Sequence, residues 1–196
     1  MNGDLVQPIL LPPDARRHPL SVVLTAAGTA SAAALAGADQ SESRWANWLA
    51  GRFTKSVRVV KSRSDIDVAR ACADHHIEVD GFVAAAFAPI TYQEMPHWMS
   101  RARVEGLRCE DDLPSHPGHG DWTIGLVAEM TAGKAAAQVS HMLCRLVLET
   151  GGLPTFSIYR AAENTVGELD VVDAGLTEFD RPTRTVIANK MSNART

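Results

Sequence analysis

The sequence predicts an α/β protein made of two similar halves. Short β-branched segments alternate with longer helix-forming segments along the 196 residues, and this alternation is typical of the α/β class. The order of the segments is roughly β-α-β-α-β-β, and it occurs twice. An acidic segment rich in proline and glycine separates the two occurrences. We therefore expect a diverged internal duplication, with an extended leader at 1–18, an α/β domain at 19–108, a linker at 109–121 and a second α/β domain at 122–196.

Local signals place the elements of the first domain. Trp45, Trp48 and Leu49 are spaced for one helix face, and Gly51 suits the end of that helix. Ser64-Asp65 suits the start of the next helix because short polar side chains can accept bonds from free N–H groups. The predicted elements are a buried strand at 21–25, mostly helix at 29–50, a strand at 55–61, a helix from 64 to about 76, and a strand pair or one bent strand at 77–88.

The second domain contains the longest and best-bounded predicted helix. Thr131 suits its start, and Gly151-Gly152 suits its end because glycine readily adopts the left-handed conformation that closes helices. The predicted elements are a strand at 122–130, a helix at 132–150, a strand at 155–159, one or two helical turns within 161–169, and strands at 170–174 and 184–188.

Bulk composition limits the classes of protein. Hydrophobic residues make up 45% and charged residues 21% of the chain, as in globular proteins. The net charge of -4 argues against a nucleic-acid partner unless a local basic patch overrides it. The chain begins without a signal-like charged start, and no segment reaches the roughly 18 apolar residues that a membrane span needs. Three well-separated cysteines, without a Cys-x-x-Cys pair, favour reduced thiols in the cytoplasm.

A polar stripe begins in the first turn of the 132–150 helix. At about 100° per residue, Lys134, Gln138, His141 and Arg145 share a narrow arc. A lysine beside free backbone N–H groups favours an anion-binding surface, although an ordinary solvated helix face would look the same. A phosphate-binding loop of the Walker type is excluded because Ala135 stands where that loop requires Ser or Thr.

A second polar cluster follows the strand at 170–174. Asp173 stands at the strand end, where a carboxylate can hold a water molecule or orient a lysine. Thr177 and Thr185 can donate hydrogen bonds to a developing oxyanion. The alternative is a turn stabilised by the aspartate side chain and flanked by ordinary polar threonines.

Together these motifs resemble the type II peptidyl-tRNA hydrolase family over about residues 122–190. The segments that carry the resemblance are Gly133-Lys134-Ala135-Ala136-Ala137-Gln138-Val139-Ser140-His141, Asp173-Ala174-Gly175-Leu176-Thr177 and Arg184-Thr185-Val186-Ile187-Ala188. The resemblance implies hydrolysis of the ester between a peptide and tRNA, without a metal or cofactor. It implies Lys134 and Asp173 as catalytic residues supported by Thr177 and Thr185. We expect Gln138, His141 and Arg145 to line the substrate.

The first domain resembles a degenerate copy of the same fold. Ala27-Gly28-Thr29-Ala30-Ser31 stands there in place of the lysine motif, so that copy cannot carry the same chemistry. This arrangement is similar to two-copy actinobacterial members of the family. It implies two halves of the hydrolase fold packed as a pseudo-dimer within one chain, which itself is a monomer or a homodimer.

Two departures from the family pattern leave a second function open. Glu129 stands where relatives usually carry positive charge, which weakens attraction to tRNA. The segment between the lysine helix and Asp173 is also shorter than usual. The alternative is a non-catalytic descendant that binds RNA or a protein partner.

Two further features are weaker candidates. A stretch without acidic residues, interleaved with aromatic ones, could follow a nucleic-acid backbone, or it could be core aromatics beside a basic edge strand. Its basic members are Arg44, Arg52, Lys55, Arg58, Lys61 and Arg63. The histidine pairs His75-His76 and His116/His119 lack further ligands at zinc-like spacing, so we expect no metal site.

Overall fold

The computed structural model describes residues 4–104, 106–174 and 178–191. The first half of the chain contains five strands and four α-helices among these residues. They are β1 (Leu5–Leu11), α1 (Leu20–Ala36), α2 (Ser43–Ala50), β2 (Lys55–Val59), α3 (Arg63–Cys72), β3 (His75–Val79), β4 (Phe82–Ala86), β5 (Ile90–Thr91) and α4 (His97–Ser100). The second half contains β6 (Trp122–Leu126), α5 (Ala132–Thr150), β7 (Phe156–Arg160), β8 (Leu169–Asp173) and β9 (Thr183–Lys190).

Each half forms one mixed sheet, and the two sheets have the same strand order. The first runs β2-β1-β4-β3, with β5 added beside β1, and the second runs β7-β6-β9-β8. In each sheet the first two strands are parallel and the remaining pairs are antiparallel. This common topology confirms the α/β class with two similar halves. Assignment to the hydrolase fold stays a prediction.

The helices α1 and α5 join the two halves. They occupy the same position in their respective halves, after the first strand, and they pack against each other. Gly28 of α1 permits this close approach, since a Cβ atom there would lie 2.6 Å from Leu143 Cδ1 of α5. One continuous apolar cluster contains buried side chains of both helices and of both sheets. The halves therefore share a core.

The segment predicted as an extended leader contains the central strand β1. Pro8 argues against a central strand, because proline has no backbone N–H to donate to a neighbouring strand. In the fold, β4 pairs with the end of β1 and β5 with its start, so the change of partner falls at Pro8. Gln7 donates its N–H to Thr54 of the strand on the other side. The missing N–H of Pro8 therefore faces the side of β1 where β4 gives way to β5, and the Pro8 carbonyl still accepts a hydrogen bond there from Phe87 N at 3.1 Å.

The predicted strand at 21–25 is wrong, because these residues belong to α1. Short apolar runs fit a strand and a buried helix equally well. Helix α1 lies between the first sheet and α5, so its apolar residues occur on all sides instead of along one stripe. The predicted helix at 29–50 is two helices, separated by residues 37–42.

Among the remaining elements, α3 ends at Cys72, before the predicted end near 76, because β3 begins at His75, and β6 ends at Leu126 instead of 130. Other bounds agree better with the sequence predictions. The helix α5 begins and ends where Thr131 and Gly151 predicted. The 77–88 segment is a strand pair, β3 and β4, joined at Asp80 and Gly81, which both have positive φ. The side chain that caps α3 is Ser62, two residues before the predicted start.

The halves differ on the outer faces of their sheets, which are the faces away from the α1–α5 pair. In the first half, α3 and α4 supply apolar residues to a second cluster on this face. In the second half, residues 161–168 contain no helix, so the predicted helical turns are absent. Residues 106–121 contain no helix or strand and run beside β7, where Arg160 N donates to Pro114 O. No helix in the described part of the chain is long and apolar enough to cross a membrane.

Candidate functional site

The candidate site begins at the first turn of α5. Thr131 has an extended backbone, and its hydroxyl accepts a hydrogen bond from the backbone N–H of Lys134 at 3.3 Å. The Glu178 carboxylate binds the other side of this cap, accepting from Thr131 N at 2.9 Å and from the Thr131 hydroxyl. A carboxylate at a helix start is favoured by the free N–H groups and the helix dipole. Glu178 was not anticipated from the sequence.

Lys134 and Asp173 form an ion pair. Lys134 Nζ lies 2.5 Å from Asp173 Oδ2, and their side chains are only 14% and 11% exposed. Gln138 Nε2 donates to the same carboxylate oxygen at 2.9 Å. Lys134 and Gln138 are four residues apart and therefore lie on one face of α5. Two of the four stripe residues thus converge on one atom of Asp173, at the end of β8.

A β-bulge directs Thr185 toward this site. The register of β8 and β9 pairs Val171 with Val186 but Val172 with Arg184, so Thr185 is the extra residue. A bulge bends its strand and re-aims the inserted side chain. Thr185 consequently faces the same side of the sheet as Val186, toward α5, and is fully buried.

Thr185 holds Gln138. Its hydroxyl lies 3.3 Å from Gln138 Oε1 and 3.0 Å from the backbone oxygen of Val171, so its single proton serves two acceptors. With Oε1 facing Thr185, the Gln138 amide presents its N–H group to Asp173. The sequence-based expectation gave Thr185 a direct hydrogen bond to an oxyanion. Its burial and partners instead make it a positioning residue for Gln138.

The other predicted site residues lie in different surroundings. Thr177 is outside the described residues. Arg145 is half-exposed, pairs with Glu149 at 3.4 Å and donates to the Asp170 carbonyl at 2.9 Å. These contacts place it near β8, about three helical turns along α5 from Lys134.

His141 lies in the contact between the halves. Its ring packs edge-on against Phe53 of the first half, with centroids 4.7 Å apart. Burial, followed by the nearby charges of Lys55 and Arg145, lowers the pKa of His141 to about 3. His141 is therefore a neutral ring in the contact between the halves.

Lys55 lies in the same contact. Its Nζ is 3.8 Å from the Phe53 ring centroid and 4.4 Å from that of Trp48, and no hydrogen-bond partner for this buried atom occurs in the described part of the chain. Burial lowers the pKa of Lys55 to about 8, and the nearby Cys144 thiol offsets this only in part. Aromatic faces attract a cation and so offset part of the cost of burying this charge.

The basic stretch at 44–63 is largely paired or buried. Trp45 and Trp48 lie in the core, which confirms the interpretation of core aromatics. Arg58 is buried and donates to the hydroxyl of Ser56 and the carbonyl of Ser100. Two further arginines form ion pairs, Arg44 with Glu94 and Arg63 with Asp14.

A cavity of about 430 Å³ opens beside the ion pair, at the carboxyl ends of β6 and β7. Ligands in open α/β sheets commonly bind beyond the carboxyl ends of strands. The lining residues are Val127, Ala128, Glu129, Arg160, Ala161, Glu163, Thr183 and Arg184. Thr183 is the register partner of Asp173, which places the cavity next to the pair.

The described residues contain no group of three or more His, Cys, Asp or Glu side chains that could hold a metal ion. No protein-family model, curated protein or solved structure matches the chain. Family membership therefore stays a prediction from the motifs, while the geometry of the site stands on its own.

Proposed function

We propose that the chain is a metal-independent esterase that hydrolyses peptidyl-tRNA. The observation that carries the proposal is the convergence of Lys134 Nζ and Gln138 Nε2 on Asp173 Oδ2. An ammonium, an amide and a carboxylate held at the end of a strand provide a positive charge and a proton acceptor within one small site.

In the proposed reaction, a water molecule attacks the ester carbonyl through its oxygen while Asp173 accepts a proton from that water. The Lys134 ammonium stabilises the negative charge that develops on the carbonyl oxygen. The tetrahedral intermediate then collapses, the bond to the ribose oxygen breaks, and Asp173 returns its proton to that oxygen, which leaves as the terminal hydroxyl of tRNA. Gln138 keeps Asp173 in place, and Thr185 keeps Gln138 in place. The products are a peptide acid and free tRNA.

The choice of substrate rests on the motif resemblance and on the position of the cavity. The three motif segments lie on α5, at the end of β8 and on β9, and the described parts of these segments meet at one site. The arginines of the neighbouring cavity suit a nucleic-acid end. Peptidyl-tRNA arises in translation, so we place the activity in the cytoplasm.

The shared core supports a pseudo-dimer arrangement. The first half repeats the strand order without the lysine motif, and its α1 packs against α5. We propose that the first half takes the structural place that a partner subunit has in a dimer, and that it contributes no chemistry.

A second candidate is a non-catalytic descendant that binds RNA or a protein. It is favoured by the carboxylates around the helix start, since Glu178 caps α5, Asp173 neutralises Lys134 and Glu129 lines the cavity. The net charge of -4 points the same way.

Deacylation of a purified N-acetylated aminoacyl-tRNA separates the two candidates. The esterase should release the acyl group with multiple turnovers, and Lys134→Ala and Asp173→Asn should each reduce kcat/KM by about 100-fold or more. Lys61→Ala, which removes an exposed lysine of the first half, is the matched control and should retain the parent rate. A parent protein that binds tRNA without turnover would support the second candidate. Parent-like rates for Lys134→Ala would reject the proposed chemistry.

A further inference from the structure

The cavity beside the ion pair is lined by two arginines from different strands. Arg160 ends β7, and Arg184 lies near the start of β9. Among the described residues each side chain makes one hydrogen-bonding contact, Arg160 to the Asp111 carboxylate and Arg184 Nη2 to the Glu163 carbonyl at 2.6 Å. A guanidinium has five N–H donors, so one such contact fixes its position and leaves donors for a ligand. Planar guanidinium groups match the geometry of phosphate oxygens.

The cavity and the candidate catalytic site share backbone. Thr183, in the cavity wall, pairs in register with Asp173. Val127, also in the wall, donates its N–H to the carbonyl of Thr185 at 3.0 Å. A ligand in this cavity would therefore lie next to the residues proposed to break the ester.

The two arginines offset a lack of basic residues in the segment that precedes Lys134. No lysine or arginine occurs between Trp122 and Gly133, where the family usually carries basic residues. Arg160 and Arg184 supply positive charge to the same region from neighbouring strands. Two arginines thus line this region although the segment before Lys134 contains no basic residue.

We propose that this cavity binds the terminal nucleotide of the RNA substrate, with its phosphate between Arg160 and Arg184. This inference rests on the proposed function. Glu129 and Glu163 also line the cavity and are exposed. Their carboxylates can accept hydrogen bonds from ribose hydroxyls, which inorganic phosphate lacks. A nucleoside monophosphate therefore fits the cavity better than inorganic phosphate.

Binding of adenosine 5′-monophosphate by calorimetry tests the assignment, with adenosine and inorganic phosphate as separate arms. The monophosphate should bind more tightly than either. Arg160→Gln and Arg184→Gln should each weaken its binding by about tenfold, since each removes a charge-assisted contact. Arg70→Gln is the matched control, because Arg70 also pairs with a carboxylate, Glu78, but lies on α3. Arg184→Lys should retain part of the affinity.

Deacylation kinetics provide the second readout. Both glutamine variants should raise KM by about tenfold and change kcat much less, because they affect binding before the ester reacts. Thermal unfolding of each variant shows whether a loss comes from the fold. Parent-like nucleotide affinity in the Arg160→Gln/Arg184→Gln double variant would overturn the assignment, as would equal binding of adenosine and its monophosphate.

The outcomes separate this inference from the proposed function. Lys134→Ala should lose hydrolysis and still bind the monophosphate. Nucleotide binding that depends on Arg184, in a parent protein without hydrolysis, would refute the esterase and keep the nucleotide site. Hydrolysis that is indifferent to both arginines would keep the esterase and refute the site.

Discussion

Tyr159 of β7 covers Gly125 of β6, its register partner, on the outer face of the second sheet. A Cβ atom on Gly125 would lie 2.9 Å from Tyr159 Cζ, 2.9 Å from Ala161 Cβ and 3.0 Å from Ile187 Cγ1. The first half covers the corresponding face with α3 and α4. A glycine and a tyrosine ring thus allow the second half to cover this face without a helix, which leaves the strand ends beside the cavity open.

Gly125→Ala is therefore expected to destabilise the protein by about 1–3 kcal/mol, because the added methyl group overpacks a site bounded on three sides. Urea denaturation monitored by circular dichroism gives the free energy of unfolding. Gly152→Ala is the matched control, since nothing lies within 4 Å of a Cβ there. Equal stabilities of the two variants would show that Tyr159 moves away at little cost.

The hydroxyl of Thr185 is expected to act on catalysis through Gln138. Thr185→Val removes the only group seen to fix Oε1 of Gln138 among the described residues, so the amide can rotate away from Asp173. We expect kcat to fall by about tenfold with little change in KM. The buried carbonyl of Val171 also loses a donor, which costs about 1–3 kcal/mol of stability.

Thr185→Ser provides the control for this positioning role. Serine keeps the hydroxyl, so it should restore most of kcat even where it loses packing. A Thr185→Val protein with parent kcat would show that Gln138 holds Asp173 unaided.

The sequence predicts helix bounds correctly where residues near in the chain determine them. The bounds of α5 follow from Thr131 and Gly151, whose preferences need no distant partner. Prediction from the sequence fails where packing against an element far along the chain determines the structure. Pro8 is acceptable in β1 only because the neighbouring strand changes there, and α1 is apolar on all sides only because α5 covers the side away from its sheet.

The candidate site shows the same division. The face shared by Lys134 and Gln138 follows from helix geometry. Predicting that this face meets Asp173 required the motif resemblance. The role of Thr185 was not predictable, because the bulge that turns it toward α5 depends on the register between β8 and β9. His141 lies in the same helical arc, yet it packs against Phe53, a residue whose position depends on how the halves associate.

His141 is expected to make the protein sensitive to acid. Burial lowers its pKa to about 3, below the unfolded value near 6.5, so the unfolded chain binds the proton more readily. Its contribution to stability is fully present above pH 6.5 and declines as the pH falls toward 3. Between pH 7 and pH 5 the parent should lose about 2 kcal/mol that His141→Phe retains. Denaturant unfolding at both pH values measures this difference, and parallel losses in the two proteins would exclude His141 as the cause.

Lys55 is expected to make stability depend on pH in the same direction as His141 but at higher pH, since its burial makes the charged form unfavourable in the folded protein. The folded pKa is about 8 and the unfolded value about 10.5, so the unfolded chain holds more protons between these limits and stability rises with pH there. Lys55→Met removes the buried charge and keeps an unbranched apolar chain beside Phe53 and Trp48. It should raise stability at pH 7 by about 1–3 kcal/mol and abolish the rise between pH 8 and 10.5. Lys61→Met, at an exposed position, should keep the parent profile. A Lys55→Met protein that is less stable at pH 7 would mean that the contacts of the ammonium with the two rings outweigh its desolvation.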